Sequence, residues 1–130
     1  ILILYGDVPF IKSETISKLI KARKTSDIAV LGFDTKHPGM YGRLITNGEN
    51  IFGIVEAKDA TQEQLNISVC NSGVILGRAD LIFDLIAKIG SDNASAEFYL
   101  TDCIELAAKA GFKSSLVFCD EEETIGINPL

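Results

Sequence analysis

The chain has 130 residues, enough for one domain or part of one, and its hydrophobic share of 47% and charged share of 23% are typical of a globular protein. A net charge of −6 argues against general binding to nucleic acid, which requires basic side chains that neutralise phosphates. No apolar run reaches the roughly 18 residues of a membrane span, and no stretch has the form of a signal peptide. We therefore expect neither a nucleic acid nor a membrane as partner.

The three cysteines, Cys70, Cys103 and Cys119, are odd in number and widely spaced. This spacing fits neither a disulfide framework nor a zinc site. We therefore expect reduced thiols and a cytoplasmic protein. Because the sequence does not begin with methionine, we also expect it to be a piece of a longer protein.

The first part of the chain predicts two strands, one helix and a loop. The opening run ILIL is apolar on both faces, which is typical of a strand inside a covered sheet, and it ends at Gly6 and Asp7. A helix is predicted from a cap at Ser13 to about Lys24. The run DIAVLGFD (27–34) follows as a second buried strand, and TKHPGMYG (35–42) is a loop because of its proline and glycines.

The second part begins with a hairpin around Asn47 and Gly48, a pair that strongly favours a tight turn. A short helix is predicted to start at Asp59, and a long strand covers Ile67–Arg78. Two amphipathic helices follow, ADLIFDLIAKIG and EFYLTDCIELAAKAG, and Gly111 ends the second of them. The last predicted strand is SSLVFCD.

Strands alternate with helices at both ends of the chain, and the hairpin lies between them. This order predicts an α/β protein with a mostly parallel, helix-covered sheet and an antiparallel hairpin insertion. We find no internal repeat and no interdomain linker.

Asp7 is the first candidate for chemistry because it follows the carboxyl end of a strand, where ligands bind in open α/β sheets. Gly6 leaves room beside the backbone for a sugar or a base. A carboxylate is also a suitable ligand for Mg²⁺ with a triphosphate. The alternative is that Asp7 only starts a turn before Pro9.

Three further candidates each have a structural alternative. Gly42 either places its backbone beside a ligand or simply gives a flexible turn. Glu56 ends an apolar strand and either accepts hydrogen bonds from sugar hydroxyls or belongs to a solvated helix start with Lys58 and Asp59. Asn71 interrupts an apolar strand and either contacts a ligand or is a hydrogen-bonded core residue, because an unpaired buried amide costs on the order of 1–3 kcal/mol.

A last group lies at the entry of the second amphipathic helix. Tyr99 and Thr101 are candidates there, although Thr101 or Asp102 also fits a simple helix cap. His37 is the single histidine and has no serine or cysteine nucleophile motif nearby, so we interpret it as structural. The sequence contains no Walker loop, no GxGxxG and no Cys/His metal spacing.

Six motifs follow one another along the chain: LYGDVPFI, GMYGRLI, GIVEAKDAT, CNSGVIL, NASAEFYLTD and IGIN. Each motif alone is a weak indication, but their order together indicates a family resemblance. Over its whole length the chain resembles the N-terminal pyrophosphorylase domain of the bacterial bifunctional N-acetylglucosamine-1-phosphate uridyltransferase/glucosamine-1-phosphate acetyltransferase family. The motifs GIVEAKDAT and NASAEFYLTD are the more particular to the uridyltransferase.

The resemblance implies a role for each candidate residue. It implies contacts of UTP with Tyr5, Gly6 and Asp7; Mg²⁺ ligation by Asp7 and Asn128; an N-acetylglucosamine-1-phosphate site lined by Gly42, Glu56 and Asn71; and a sugar pocket extended by Tyr99 and Thr101. The implied reaction joins the sugar phosphate to uridylate and releases pyrophosphate, so that UDP-N-acetylglucosamine becomes available for cell-wall precursors.

The resemblance also implies what lies outside residues 1–130. The chain corresponds to the C-terminal part of the pyrophosphorylase domain, so its nucleotide-binding loop would lie upstream. The left-handed β-helix that carries acetyl transfer and homotrimer contacts would lie downstream. We therefore expect the fragment alone to be inactive. The alternatives are another sugar-1-phosphate nucleotidyltransferase, or a non-catalytic fragment that binds nucleotide sugars.

Overall fold

The computed structural model describes residues 2–4, 11–89 and 100–120. These residues form strands, helices and one short 3₁₀ helix. In chain order they are β1 (Leu2–Leu4), α1 (Ser13–Arg23), β2 (Ile28–Asp34), β3 (Arg43–Asn47), β4 (Asn50–Val55), the 3₁₀ helix (Ala57–Asp59), α2 (Gln62–Leu65), β5 (Val69–Gly77), α3 (Ala79–Ile89), α4 (Leu100–Lys109) and β6 (Ser114–Phe118).

The six strands form one sheet in the order β1-β5-β2-β6-β4-β3. The long strand β5 pairs along one edge with β2. It shares its other edge between β1, opposite residues 74–76, and β3, opposite Cys70. As a result the hairpin of β3 and β4 pairs with the first half of β5 and belongs to the same sheet as the other strands.

The predicted α/β class and the antiparallel hairpin are confirmed, but the strand directions differ from the expectation of a mostly parallel sheet. Within the described residues only β2 and β6 pair in parallel, and the other pairings are antiparallel. A parallel pair requires a long crossover connection. The chain between β2 and β6 is long and includes helices α3 and α4, whereas the chain between β2 and β5 contains the β3–β4 hairpin, the 3₁₀ helix and the short helix α2.

Two helix starts also differ from the sequence-based prediction. Ser13 is the first helical residue of α1, and the cap position belongs to Lys12, whose side chain makes no capping hydrogen bond. The helix predicted from Asp59 starts instead at Gln62. Thr61 caps it, because Thr61 Oγ1 accepts from Gln64 N (3.1 Å) and Gln64 Oε1 accepts from Thr61 N (2.9 Å).

Helices cover both faces of β2, which explains its continuous apolar sequence. Ile28 and Val30 lie in a core with α3 and α4, while Ala29 and Leu31 lie in a second core with Leu19 of α1. The larger core is completed by buried side chains from the remaining elements: Leu44, Ile51, Ile54, Ile75, Leu81, Ile82, Leu85, Cys103, Ile104 and Ala107. Within the described ranges, no helix is both long and apolar enough to cross a bilayer.

Cys70, Cys103 and Cys119 form no disulfide with one another. Cys70 and Cys103 are buried. Burial, together with the nearby Asp102 carboxylate, raises the pKa of the Cys103 thiol to about 11. This thiol is therefore protonated at neutral pH and packs as a small apolar side chain.

Gly32 is placed where only a residue without a side chain fits. An added Cβ would lie 2.6 Å from Leu44 Cδ1, 2.9 Å from Leu116 Cδ1 and 3.0 Å from the backbone oxygen of Cys70. The leucine ends can rotate, but the oxygen belongs to the paired strand β5 and can move only with it.

We expect Gly32→Ala to reduce the free energy of unfolding by about 1–3 kcal/mol, because the added methyl group overpacks the sheet. Chemical denaturation followed by circular dichroism measures this change. Gly53→Ala is the matched control, since no atom lies within 4 Å of its added Cβ. Equal denaturation midpoints for the two variants would contradict the close packing at Gly32.

Candidate functional site

Three of the predicted site residues lie next to one row of paired residues that crosses β4, β3 and β5. In this row Arg43 is opposite Val55 on one side and Cys70 on the other. Both pairings are antiparallel, so one step back along β3 corresponds to one step forward along β4 and along β5. Gly42, Glu56 and Asn71 are those next residues, and the structure therefore brings them together.

The distances agree with this placement. Asn71 N donates a hydrogen bond of 2.8 Å to Gly42 O. A Cβ added to Gly42 would lie 3.6 Å from Glu56 Oε2 and 3.3 Å from Ile54 Cγ2. A side chain at position 42 would thus occupy space directly beside the Glu56 carboxylate, and glycine keeps that space open.

Asn71 begins a bulge in β5. The pairing with β2 shifts between Leu31, opposite Val74, and Gly32, opposite Asn71, which leaves Ser72 and Gly73 without partners in the ladder. Gly73 has a φ of +90°, a conformation that favours glycine. The bulge interrupts the regular strand geometry of the segment CNSG (70–73). This segment lies at the end of β5 that is beside Gly42.

The side-chain hydrogen bonds of Asn71 are only partly used. Its Oδ1 accepts a hydrogen bond of 3.0 Å from Gly73 N. Within the described part of the chain its NH₂ group makes no hydrogen bond, and the residue is half-buried. The carbonyl therefore stabilises the bulge, and no described residue accepts from the two N–H donors of the amide.

A residue that the sequence analysis missed lies in the centre of the row. Arg43 is 3% exposed, and its guanidinium donates to the backbone oxygens of Gly39, Tyr41 and Leu65. The only sequence signal for this residue is an arginine at the start of the apolar strand RLIT. Taken alone, an arginine at such a position is expected to be exposed to solvent. Tyr41 also packs edge-on against Phe33, with 4.9 Å between ring centroids.

Lys58 and Asp59 are exposed in the 3₁₀ helix that follows Glu56. They agree with the alternative of a solvated segment at that point. Glu56 itself is half-buried and is the residue that precedes the 3₁₀ turn.

The remaining predicted site residues cannot be placed in this geometry. Tyr5, Gly6, Asp7, Tyr99 and Asn128 lie outside the described residues, and Thr101 belongs to α4. Among the described ranges, no group of three or more His, Cys, Asp or Glu side chains is arranged to hold a metal ion. The predicted Mg²⁺ ligands, Asp7 and Asn128, therefore stay predictions.

An open cavity of about 590 Å³ lies beside the loop 35–42. Its lining consists of Asp34, Thr35, Lys36, Pro38, Leu65, Asn66 and Ser68. None of Gly42, Glu56 and Asn71 lines this cavity, so it does not coincide with the candidate site.

Solved structures with the same fold are nucleotide-sugar enzymes by their titles. A nucleoside-diphosphate-sugar pyrophosphorylase from Vibrio cholerae aligns over 78% of this chain and 42% of its own, with a TM-score of 0.61 and 11% identity. A protein described as a glucose-1-phosphate thymidylyltransferase from Bacillus anthracis, in complex with a sucrose, aligns over 85% of this chain and 42% of its own, with a TM-score of 0.58 and 18% identity. At these identities the likeness shows the fold alone, and it confirms the α/β class.

Curated relatives match at much higher identity. Proteins named bifunctional protein GlmU are 47% identical over 128 residues in Cereibacter sphaeroides, 48% in Dinoroseobacter shibae and 44% in Ruegeria pomeroyi. Each match covers 98% of this chain and 28% of the relative. No protein-family model matches the chain. The chain is therefore homologous to a segment of the bifunctional GlmU proteins, as the order of its motifs predicts.

Proposed function

We propose that this chain forms the sugar-phosphate part of the active site of a nucleotidyltransferase. The proposed reaction transfers uridylate from UTP to N-acetylglucosamine-1-phosphate and releases pyrophosphate. The observation that carries the proposal is that Gly42, Glu56 and Asn71 come together next to the row in which Arg43 pairs with Val55 and Cys70. The homology to GlmU proteins and the fold shared with nucleotide-sugar enzymes support the same class of reaction.

The three residues have chemistry suited to a sugar. A carboxylate such as that of Glu56 accepts hydrogen bonds from hydroxyl groups. The NH₂ of Asn71, from which no described residue accepts, can donate to a hydroxyl or a carbonyl oxygen. Gly42 leaves space beside the carboxylate, since a Cβ there would lie 3.6 Å from Glu56 Oε2. Such groups are suited to hold and orient a ring that has hydroxyl groups on several sides.

The proposed chemistry requires no side-chain base. The attacking group is a phosphate oxygen of the sugar phosphate, which already carries a negative charge, and it attacks the α-phosphorus of UTP while pyrophosphate leaves. Positioning of the two substrates then lowers the barrier without any proton transfer to a side chain. This agrees with a site built from a carboxylate, an amide and a glycine and without a nucleophilic serine or cysteine.

The proposed metal ligands are Asp7 and Asn128, whose carboxylate and amide oxygens suit Mg²⁺. When bound, Mg²⁺ offsets repulsion between the phosphates and charge on the leaving pyrophosphate. Tyr5 and Gly6 are proposed to contact UTP, and Tyr99 and Thr101 to extend the sugar pocket. These assignments rest on the motif resemblance alone.

The larger protein is also part of the proposal. The chain spans 28% of the length of its curated relatives, and we propose that it is the C-terminal part of a pyrophosphorylase domain in a cytoplasmic protein. The nucleotide-binding loop would then lie upstream and a trimer-forming domain downstream. The isolated segment is accordingly expected to be inactive.

Substrate competition in the full-length protein tests the function directly. We expect kcat/KM to be at least about a hundredfold higher for N-acetylglucosamine-1-phosphate than for glucose-1-phosphate, because a site that hydrogen-bonds one substituent leaves groups unpaired when it is absent. We also expect UTP to be preferred over dTTP. Preference for glucose-1-phosphate would favour another sugar nucleotidyltransferase, and absence of any turnover would exclude this enzyme class.

Glu56→Gln tests the carboxylate. The amide keeps the shape of the side chain but replaces charge-assisted hydrogen bonds by neutral ones, so we expect KM for the sugar phosphate to rise about tenfold or more. Initial-rate kinetics at saturating UTP measure this change. The matched control is Glu63→Gln on α2, where the glutamate is exposed. A similar KM in both variants would remove Glu56 from the sugar site.

Asn71→Asp separates the two uses of Asn71. The carboxylate still accepts from Gly73 N, so the bulge is kept, but the NH₂ donors are lost. We expect an unchanged melting temperature and a sugar-phosphate KM raised about tenfold or more, since one lost hydrogen bond in a binding site costs about 1–2 kcal/mol.

Asn71→Ala removes both functions and is expected to lower the melting temperature as well as raise KM. An aspartate variant with wild-type kinetics would show that Asn71 only stabilises the bulge.

A further inference from the structure

Among the residues that the structure describes, Arg43 is a buried cation without an anionic partner. It is 3% exposed, and it takes part in none of the ion pairs among the described residues. Its Nε–H is buried and makes no hydrogen bond within the same residues. A buried charge of this kind is costly, and an apolar residue would fill the start of β3 at lower cost if packing were the only requirement.

The three hydrogen bonds of Arg43 connect two segments that are distant in sequence. One guanidinium nitrogen donates to Gly39 O (2.9 Å) and to Tyr41 O, in the loop that leads to Gly42. The other donates to Leu65 O (3.2 Å), at the end of α2. The planar fork of arginine can reach both segments at once, which the single ammonium group of lysine cannot do in the same geometry.

These two segments are connected in sequence to the residues of the candidate site. The chain leaves the site at Glu56, passes through the 3₁₀ helix and α2, and is tied back to Arg43 at Leu65 before it returns at Asn71. The loop 38–41 precedes Gly42 directly and is held by a backbone hydrogen bond from Tyr41 N to Pro38 O of 3.0 Å. Arg43 therefore bonds both to the loop that leads into Gly42 and to the segment that connects Glu56 with Asn71.

We propose that Arg43 is a positioning residue that sets the geometry of the sugar-phosphate site without touching the substrate. The proposal rests on the proposed function, because it assigns to Gly42 and Glu56 the binding of the sugar phosphate. It predicts a selective effect: loss of the Arg43 hydrogen bonds weakens binding of the sugar phosphate and leaves binding of UTP nearly unchanged.

The test uses the full-length protein and the variants Arg43→Met and Arg43→Lys. We expect KM for N-acetylglucosamine-1-phosphate to rise at least tenfold in Arg43→Met and at least fivefold in Arg43→Lys, with KM for UTP within twofold of wild type. Hydrogen exchange measured by mass spectrometry should be faster over residues 38–42 in both variants, because their backbone loses its tie to α2.

Arg23→Met is the matched control. Arg23 also donates to a backbone oxygen, Ser26 O at 3.2 Å, but it lies on α1. We expect this variant to change neither KM nor exchange over 38–42. If Arg43→Met does not fold, Arg43→Lys provides the same measurements.

Three outcomes contradict the proposal: equal increases of both KM values, unchanged kinetics despite faster exchange, or unchanged exchange over 38–42. Failure of the proposed function has a different signature. Wild-type protein would then show no sugar nucleotidyltransferase activity, while the exchange measurement would still report whether Arg43 holds the loop.

Discussion

The pairing of Arg43 with Val55 and with Cys70 is the constraint on which the candidate site depends. It fixes the relative register of β4, β3 and β5, so that residues separated by up to 29 positions in the chain, Gly42 to Asn71, become neighbours. A shift of one residue in either pairing would turn side chains to the opposite face. Register therefore decides whether a glycine, a carboxylate and an amide can act on one ligand.

Several local devices hold this register. The turn at Gly48 closes the hairpin of β3 and β4. The bulge at Ser72 and Gly73 lets β5 pair with β2 on both sides of the bulge, at Asn71 and at Val74. Gly32 permits close contact between β2 and its neighbours at the same level. The buried guanidinium of Arg43 then joins the loop before Gly42 to the end of α2. The proposed sugar site thus lies next to paired strands, and the Arg43 side chain stabilises the loop that precedes it.

Parts of this arrangement could be predicted from the sequence because they depend on local chemistry. Asn47-Gly48 indicates its hairpin, Gly111 ends α4 at a φ of +89°, and the apolar run of β2 indicates a strand covered on both faces. The ordered motifs predict Gly42, Glu56 and Asn71 as site residues, and in the structure Gly42 lies next to both of the others.

Other parts depend on long-range geometry that the sequence does not state. The chain between β2 and β5 forms the β3–β4 hairpin and two short helical segments, and β5 returns antiparallel to β2. The expected predominance of parallel pairs is therefore wrong for the described strands. Both Asp59 and Thr61 are suitable residues to cap α2. The helix starts after Thr61, where the Gln64 side chain accepts a hydrogen bond from the Thr61 backbone and so completes a capping box. Arg43 resembles a surface residue until the loop and α2 place three carbonyl oxygens around it.

A crystal structure of the full-length protein with N-acetylglucosamine-1-phosphate bound tests the proposed site most directly. We expect the sugar ring to lie beside Gly42, with a Glu56 carboxylate oxygen and the Asn71 NH₂ each within about 3.2 Å of a sugar oxygen or nitrogen. A sugar phosphate bound away from these three residues, or bound without contact to Glu56 and Asn71, would contradict it.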